Sequence, residues 1–234
     1  MFHFKQFSVD QSGCAMKINT DGVLLGAITQ ADDPKTILDI GTGTGVIALM
    51  LAQKFANAKI DAVEIDEPAA KTAGRNFQNS IFYNRLNIHF SSIRDFLDEH
   101  TENKYDLIIS NPPFYINSLE SPKEKKSLAK HSEVNFFDEL AKDVSFYLAD
   151  KGFCWLVLPL DTAALVTTLM AKNDMHLQRE ISIHSYPHSA AHRVVLCFGF
   201  KDVAPEMSKL TIYKAVGIYS EEYQRLLQPY FLAF

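Results

Sequence analysis

Cysteine is scarce. Cys14, Cys154 and Cys197 are the only three in 234 residues, they lie far apart, and none forms a Cys-x-x-Cys pair. That excludes a disulfide-built scaffold and points to reduced, buried thiols in a cytosolic protein. No apolar run approaches the ~18 residues of a membrane span. The longest candidate, "GFCWLVLPL", has the length of a core strand. The start, "MFHFKQFSVDQ", lacks the continuous apolar stretch and small-residue cleavage site of a signal peptide. Positive charge is also short: 23 Lys and Arg against 28 Asp and Glu leave a net charge of −5. This excludes a generally basic nucleic-acid binder, so any polyanion must be held by a local patch. There is no internal repeat and no low-complexity segment.

What is present is ordinary globular material, 47% hydrophobic, 22% charged and 12% aromatic. That is enough for a substantial core without disulfides or metals. Strand-like and helix-like stretches alternate. "TILDIGTGTG" reads as a strand entering a glycine loop, and "KIDAVEID", "LNIHFSSI", "YDLIISNPP" and "GFCWLVLPL" as further strands, separated by the helical stretches "VIALMLAQKF", "EPAAKTAGRNFQNS", "RDFLDEH" and "NFFDELAKDVSFYLAD". In the last of these Phe137, Leu140, Ala141, Val144 and Leu148 share one face. "TAALVTTLMAKND" reads as a further helix, and "REISIHSYP" and "HRVVLCFGF" as two final strands with only a short loop between them. Alternation of this kind predicts an α/β fold with a mostly parallel, seven-stranded sheet covered by helices on both faces. The last two strands are too close for a crossover helix and are expected to pair antiparallel. Trp155, Phe136, Phe137 and Phe146 are expected in the core, and Tyr213, Tyr219 and Tyr223 to pack an end element against the sheet.

Two motifs carry chemistry. "DIGTGTG" sets Asp39 near a strand end, followed by Gly41, Gly43 and Gly45 and then a helix. Glycines there let a ligand approach the backbone, and the helix start adds unpaired N–H donors. A nicotinamide dinucleotide site needs Gly-x-Gly-x-x-Gly, but Val46 stands at the sixth position. Asp39 would repel a pyrophosphate and attract an ammonium. The next strand ends in "VEID", an acid suited to the two hydroxyls of a ribose. Glu64 is the better placed, with Asp66 the alternative. A ribose acceptor, a glycine loop and an ammonium partner describe S-adenosylmethionine better than NAD.

The second motif is "NPPF". Pro112 and Pro113 cannot continue a sheet ladder. Asn111 offers a side-chain carbonyl and Pro112 a stiffened backbone carbonyl, two fixed acceptors for the two hydrogens of an exocyclic amino group. Phe114 and Tyr115 supply rings for stacking a planar base. Accepting those hydrogen bonds raises electron density on a poorly nucleophilic nitrogen and aims its lone pair at a sulfonium methyl. Proximity then supplies most of the acceleration, and no separate general base is needed.

"DIGTGTG", "VEID" and "NPPF", in this order, resemble class I S-adenosylmethionine-dependent methyltransferases of the amino-methylating group. With "FKQFSVDQSGCAMKINTDGVLLGA" at the start and "LTIYKAVGIYSEEYQRLLQPYF" at the end, the chain looks like the bacterial tRNA(Val) adenine N6-methyltransferases. The resemblance implies a Rossmann-like class I fold with an antiparallel last strand, S-adenosyl-L-methionine as cofactor and tRNA as partner. It also implies methylation of the N6 amino group of adenine 37, in the cytoplasm, with neither metal nor membrane involved. A single domain over 1–234 is expected, with a cofactor-covering segment at 1–35, a core at 36–203 and a C-terminal extension at 204–234. A monomer is expected. The resemblance makes Asn111, Pro112, Pro113 and Phe114 catalytic. It gives cofactor contacts to Lys17, Thr20, Asp21, Asp39, Gly41, Gly43, Glu64, Ile65 and Ser92, and again to Asn111. Where related enzymes place an acid against the cofactor adenine, this chain has Ser91, Ser92 and Ile93, with Asp95 later.

The tract at 116–133, "INSLESPKEKKSLAKHSE", reads as a mobile loop whose lysines either meet tRNA phosphates or form a solvated surface on an acidic protein. Lys130 and His131, with Tyr115, are the candidate substrate contacts. His184, His188 and His192 recur at a spacing that would suit a metal on a helix, but Pro187 and the flanking strands argue for a loop. With Arg193 they could face RNA instead. Alternatives in the same class are glutamine methylation of a protein release factor, or amino-methylation of another RNA or DNA. The release-factor reading wants a large N-terminal helical domain, and only about 35 residues precede the first core strand. A dinucleotide oxidoreductase and a non-catalytic cofactor-binding scaffold are the remaining rivals.

Overall fold

The structure is a computed structural model. It describes residues 1–112 and 123–234; for 123–133 it describes the backbone alone. Two short strands, β1 (Phe2–His3) and β2 (Ser8–Val9), pair antiparallel and precede α1 (Thr20–Ile28). The alternating part follows as β3 (Thr36–Ile40), α2 (Val46–Lys54), β4 (Lys59–Glu64), α3 (Glu67–Gln78), β5 (Leu86–Phe90), α4 (Ile93–Glu99) and β6 (Tyr105–Ser110). It continues with α5 (Lys123–Tyr147), β7 (Leu148–Leu158), α6 (Leu160–Ala171), β8 (His176–His184) and β9 (Ala191–Gly199). β10 (Glu206–Thr211), β11 (Tyr213–Ala215), β12 (Ile218–Tyr219) and α7 (Glu221–Leu227) complete the chain.

The main sheet runs β10-β8-β9-β7-β6-β3-β4-β5. β9 is antiparallel to both its neighbours, and every other pair is parallel. The sheet thus has eight strands where seven were expected, and the expected antiparallel strand, β9, is followed by one more. The eighth strand, β10, joins the β8 edge parallel to it. Because β9 alone is reversed, the C-terminal ends of β3–β8 and of β10 all open onto one edge. Ligands collect at that edge in open α/β sheets.

Strand periodicity sorts the core into two layers. Ile37, Leu107, Ile109, Trp155 and Val157 point to the side covered by α1, α2, α3 and α7. Their sequence neighbours Leu38, Ile108, Cys154, Leu156 and Leu158 point to the side covered by α4, α5 and α6. Both faces are buried, so the strands read as continuous apolar runs. The three cysteines are buried and free. Phe4 bridges to Phe231, and the Lys5 N–H donates to the Tyr230 carbonyl at 2.8 Å, so the two ends of the chain are tied together.

Three expectations are corrected. The tract read as a loop from 116 to 133 is helical from Lys123 onward, as the first turns of α5; 113–122 lies outside the described residues. Its Lys, Glu, Leu and Ala are strong helix formers, and no Gly or Pro follows Pro122 to interrupt them. Phe146 is 58% exposed rather than buried, with the Lys104 ammonium 4.6 Å from its ring centre. Leu148 is buried as expected but opens β7 instead of ending α5.

Candidate active site

The parallel register brings the ends of three adjacent strands together. Ile40 of β3 lies beside Val63 of β4 and Ser110 of β6, and the Ser110 hydroxyl donates to the Ile40 carbonyl at 2.8 Å. Asp39, Glu64 and Asn111 therefore emerge side by side from the same edge.

The glycine loop is folded against the end of β4. The N–H groups of Gly41 and Thr42 both donate to the Val63 carbonyl, at 2.9 and 3.1 Å, and Gly45 N–H donates back to Thr42. Gly41, Gly43 and Gly45 all have positive φ, at 71°, 57° and 81°, which L side chains adopt only under strain. Their surroundings differ. A Cβ on Gly41 or Gly43 would meet nothing within 4 Å, whereas one on Gly45 would lie 2.5 Å from Phe77. The first two leave an open cradle, and the third lets α2 start against α3. Asn76 of α3, which sequence reasoning passed over, clamps this arrangement. Its amide donates to the carbonyls of Thr44 at 2.8 Å and Asp10 at 2.9 Å. A polar residue in the last turn of an Ala-rich helix was its only signal.

Glu64 turns toward the loop. One oxygen accepts the Gly43 N–H at 2.8 Å and the other the Asp66 N–H at 2.9 Å. Asp66 caps α3 by accepting from Ala69 N–H at 3.1 Å, which separates the two acids left open by the sequence. Ile65 is 71% exposed beside them. Phe90, a residue without an assigned role, pairs in register with Glu64 and is 60% exposed. Two apolar faces thus flank the carboxylate. Ser92 caps α4: its hydroxyl accepts the Asp95 N–H at 3.1 Å and donates to the Asp95 carboxylate at 2.7 Å. Its hydroxyl is thereby committed to the helix.

Asp39 is fully buried. The Thr42 hydroxyl donates to Oδ2 at 2.6 Å, and Oδ1 has no hydrogen-bond partner among the described residues. Burial lifts its carboxyl to about 7. The Thr42 hydroxyl and the Ala48 amide in the first turn of α2 pull it down, and the Glu64 charge pushes it up. Asn111 Oδ1 is likewise buried without a partner among the described residues. Buried polar atoms in this condition are rare and ask for a donor. A cation facing Asp39 and an amino group facing Asn111 would satisfy both. Pro112 is buried beside Asn111.

The N-terminal segment reaches the same place. Asn19 caps α1 by accepting from Gly22 N–H at 2.9 Å. A Cβ on Gly22 would lie 3.5 Å from both the Asn111 amide nitrogen and the Asn19 carbonyl oxygen. Lys17 and Thr20 are exposed. Asp21 is engaged in a largely buried ion pair, accepting from Arg193 Nε at 2.8 Å. Burial lowers the pKa of the adjacent His192, Asp21 opposes that, and Arg193 and His184 add to it. His184 bonds Ser189 O and Ser182 Oγ, at 2.7 and 3.2 Å, on the β8–β9 hairpin. No group of three His, Cys, Asp or Glu among the described residues could hold a metal ion, and no described helix is long and apolar enough to cross a membrane. Pro113, Phe114 and Tyr115, and the side chains of Lys130 and His131, lie outside the described residues.

Comparison with known proteins agrees with this geometry. Residues 15–158 match the family described as methyltransferase small domain. A Pedobacter heparinus protein named tRNA1(Val) (adenine(37)-N6)-methyltransferase is 45% identical over 233 residues, covering 100% of this chain and 98% of its own. A protein of the same name from Bacteroides thetaiotaomicron is 38% identical, covering 99% and 97%. Among solved structures, a predicted O-methyltransferase from Agrobacterium tumefaciens superposes with a TM-score of 0.69 at 16% identity, covering 90% of this chain and 96% of its own. At that identity the likeness speaks for the fold alone. The chain belongs to the methyltransferase small domain family.

Proposed function

We propose that this protein transfers a methyl group from S-adenosyl-L-methionine to the exocyclic N6 amino group of adenine in tRNA, at adenine 37 of tRNA1(Val). The observation that carries the chemistry is the buried Oδ1 of Asn111, without a hydrogen-bond partner among the described residues, one residue past the Ser110–Ile40 bond at the strand ends and followed by Pro112. The relatives carry the substrate: proteins of that printed name match this chain end to end at 36–45% identity.

Each residue then has a task. Gly41 and Gly43 leave room at their backbone for the methionine part of the cofactor, and Asp39 Oδ1 faces its ammonium. Glu64 keeps the loop in shape through Gly43 and has lone pairs left for ribose hydroxyls. Ile65 offers an apolar face to the cofactor adenine. When bound, the cofactor supplies a methyl on a positively charged sulfur. Asn111 Oδ1 and the Pro112 carbonyl accept the two N6 hydrogens, which aims the nitrogen lone pair at that methyl. The methyl supplied by the cofactor would pass to N6 as its bond to sulfur broke, which would leave a neutral thioether, and the surplus N6 proton would go to water. Orientation supplies most of the acceleration. Phe114 and Tyr115 stack the base, and Lys130 and His131 meet the adjacent phosphates. The protein acts as a monomer in the cytoplasm, where tRNA is modified.

A dinucleotide oxidoreductase fits worse. A buried carboxylate beside the loop repels a pyrophosphate, and the close Gly45–Phe77 approach is spent on packing, one residue short of the dinucleotide spacing. The test is transfer of a labelled methyl to total tRNA from a strain lacking this protein, followed by nucleoside analysis. Label in N6-methyladenosine of a valine tRNA is the expected result. No incorporation into tRNA while S-adenosylhomocysteine still binds would refute the substrate.

A further inference from the structure

The edge that carries Asn111 continues across β7, β9, β8 and β10. Four tyrosines form a ladder at its far end. Tyr223 of α7 is buried and stacks on Tyr219 of β12 at 4.9 Å between ring centres. Tyr219 stacks on Tyr213 of β11 at 5.0 Å, and Tyr213 meets Tyr186 at 5.7 Å with a tilt of 33°. The ladder starts in the core and ends in a ring that is 38% exposed. Two backbone bonds fix it to the edge: Ile212 N–H donates to His184 O and Tyr213 N–H to Ser185 O, both at 2.9 Å. The Lys209 ammonium holds the turn beneath Tyr186 by donating to the Pro187 carbonyl at 2.8 Å.

The acids nearest this ladder are Glu221 and Glu222, in the first turn of α7. Residues 181–200 and 207–220 contain no Asp or Glu, in a chain whose net charge is −5. They contain Arg193, Lys209, Lys214 and three histidines. Arg193 is paired with Asp21, but Lys214, Lys209, His188 and His192 are exposed. The tip of the β11–β12 hairpin is apolar, with Val216 86% exposed. Strands lie about 4.8 Å apart, so β8 is about 15 Å from β6 along the edge. That is a span of a few nucleotides of single-stranded RNA.

We infer that the Tyr186 ring and the β11–β12 hairpin form a second RNA contact, which stacks an unpaired base flanking the target adenine while Lys214 meets its phosphate. The occupant is single-stranded RNA because it answers both features: every base has a face to continue the tyrosine ladder, and a phosphate suits Lys214, on the hairpin strand away from Glu221 and Glu222 of α7. The inference rests on the tRNA reading above and locates a further part of that substrate.

The test uses the full-length protein and an anticodon stem-loop carrying 2-aminopurine in place of a loop base beside the target. Fluorescence of 2-aminopurine should be quenched on binding, and Tyr186→Ala should abolish the quench and weaken binding about tenfold. Tyr186→Phe, which keeps the ring, should restore both. Lys214→Ala should lower the slope of log affinity against log salt by about one. Affinity for S-adenosylhomocysteine should stay at the parent value in all three. A Tyr186→Ala protein that binds and quenches like the parent overturns this inference while leaving the tRNA reading intact. A parent protein that binds no tRNA and methylates none overturns both.

Discussion

The Glu64 carboxylate accepts the backbone N–H of Gly43 at 2.8 Å, across 21 residues of sequence. The acid proposed for the ribose therefore also shapes the loop proposed to hold the methionine part of the cofactor. Glu64→Gln keeps one acceptor oxygen but loses the charge, and hydrogen bonds to charged groups are worth about 1.5–3 kcal/mol. S-adenosylhomocysteine should bind about 10- to 100-fold more weakly, measured by calorimetry. Methyl transfer at saturating cofactor should fall far less.

Gly45 and Gly41 share a positive φ but differ in what surrounds them. Gly45→Ala must place a methyl 2.5 Å from Phe77 as well as strain the backbone. It should lower folding stability by about 2–4 kcal/mol in urea denaturation. Gly41→Ala meets no neighbour and should cost about 1–2 kcal/mol, while intruding on the cofactor cradle. The first variant should melt early, and the second should bind S-adenosylhomocysteine poorly while melting near the parent.

Burial holds Asp39 protonated up to about 7, against an ordinary value of 3.8. Between those values the folded protein keeps a proton that the unfolded chain releases. Stability therefore falls as pH rises from about 4 to about 7, by on the order of 4 kcal/mol at the limit, and then levels off. Asp39→Asn removes this dependence. Its melting temperature should exceed that of the parent at pH 8 by more than at pH 5. An ammonium partner needs the ionised carboxylate, so the parent's affinity for S-adenosylhomocysteine should rise between pH 6 and pH 8. The Asn variant should show no such rise.

Arg193 and Asp21 join β9 to the first turn of α1, whose Gly22 lies against Asn111. Both side chains are more than two-thirds buried. A double-mutant cycle with Arg193→Ala and Asp21→Ala should return a coupling of about 1–2 kcal/mol in stability. Each single variant should lower the methyl-transfer rate at saturating substrates, because the wall behind Asn111 loosens.

Local patterns made much of this legible. The apolar runs marked buried strands, and "DIGTGTG" and "VEID" mark the loop and its acid because strand–loop–helix order and glycine spacing are local properties. What escaped is non-local or polar. β10 reads "EMSKLT" and buries only Leu210, as an edge strand at the margin of the sheet can. The start of α5 is lysine-rich, and its charge outweighed a helix propensity that was there to be read. Asp21 carries no mark in sequence of its partner 172 residues away. Tyr213, Tyr219 and Tyr223 pack the C-terminal element against the core as expected, but their mutual stacking and their position on the same edge as Asn111 depend on β10, the strand that was not foreseen.

The most direct test replaces Asn111. Methyl transfer to tRNA and S-adenosylhomocysteine binding should be measured side by side for the parent, Asn111→Ala and Asn111→Asp. The acceptor account predicts that Asn111→Ala loses methyl transfer by at least about a thousandfold, with cofactor affinity within a modest factor of the parent. Asn111→Asp, which keeps an acceptor oxygen in place, should retain measurable transfer. An Asn111→Ala protein that methylates tRNA at the parent's rate would contradict the account.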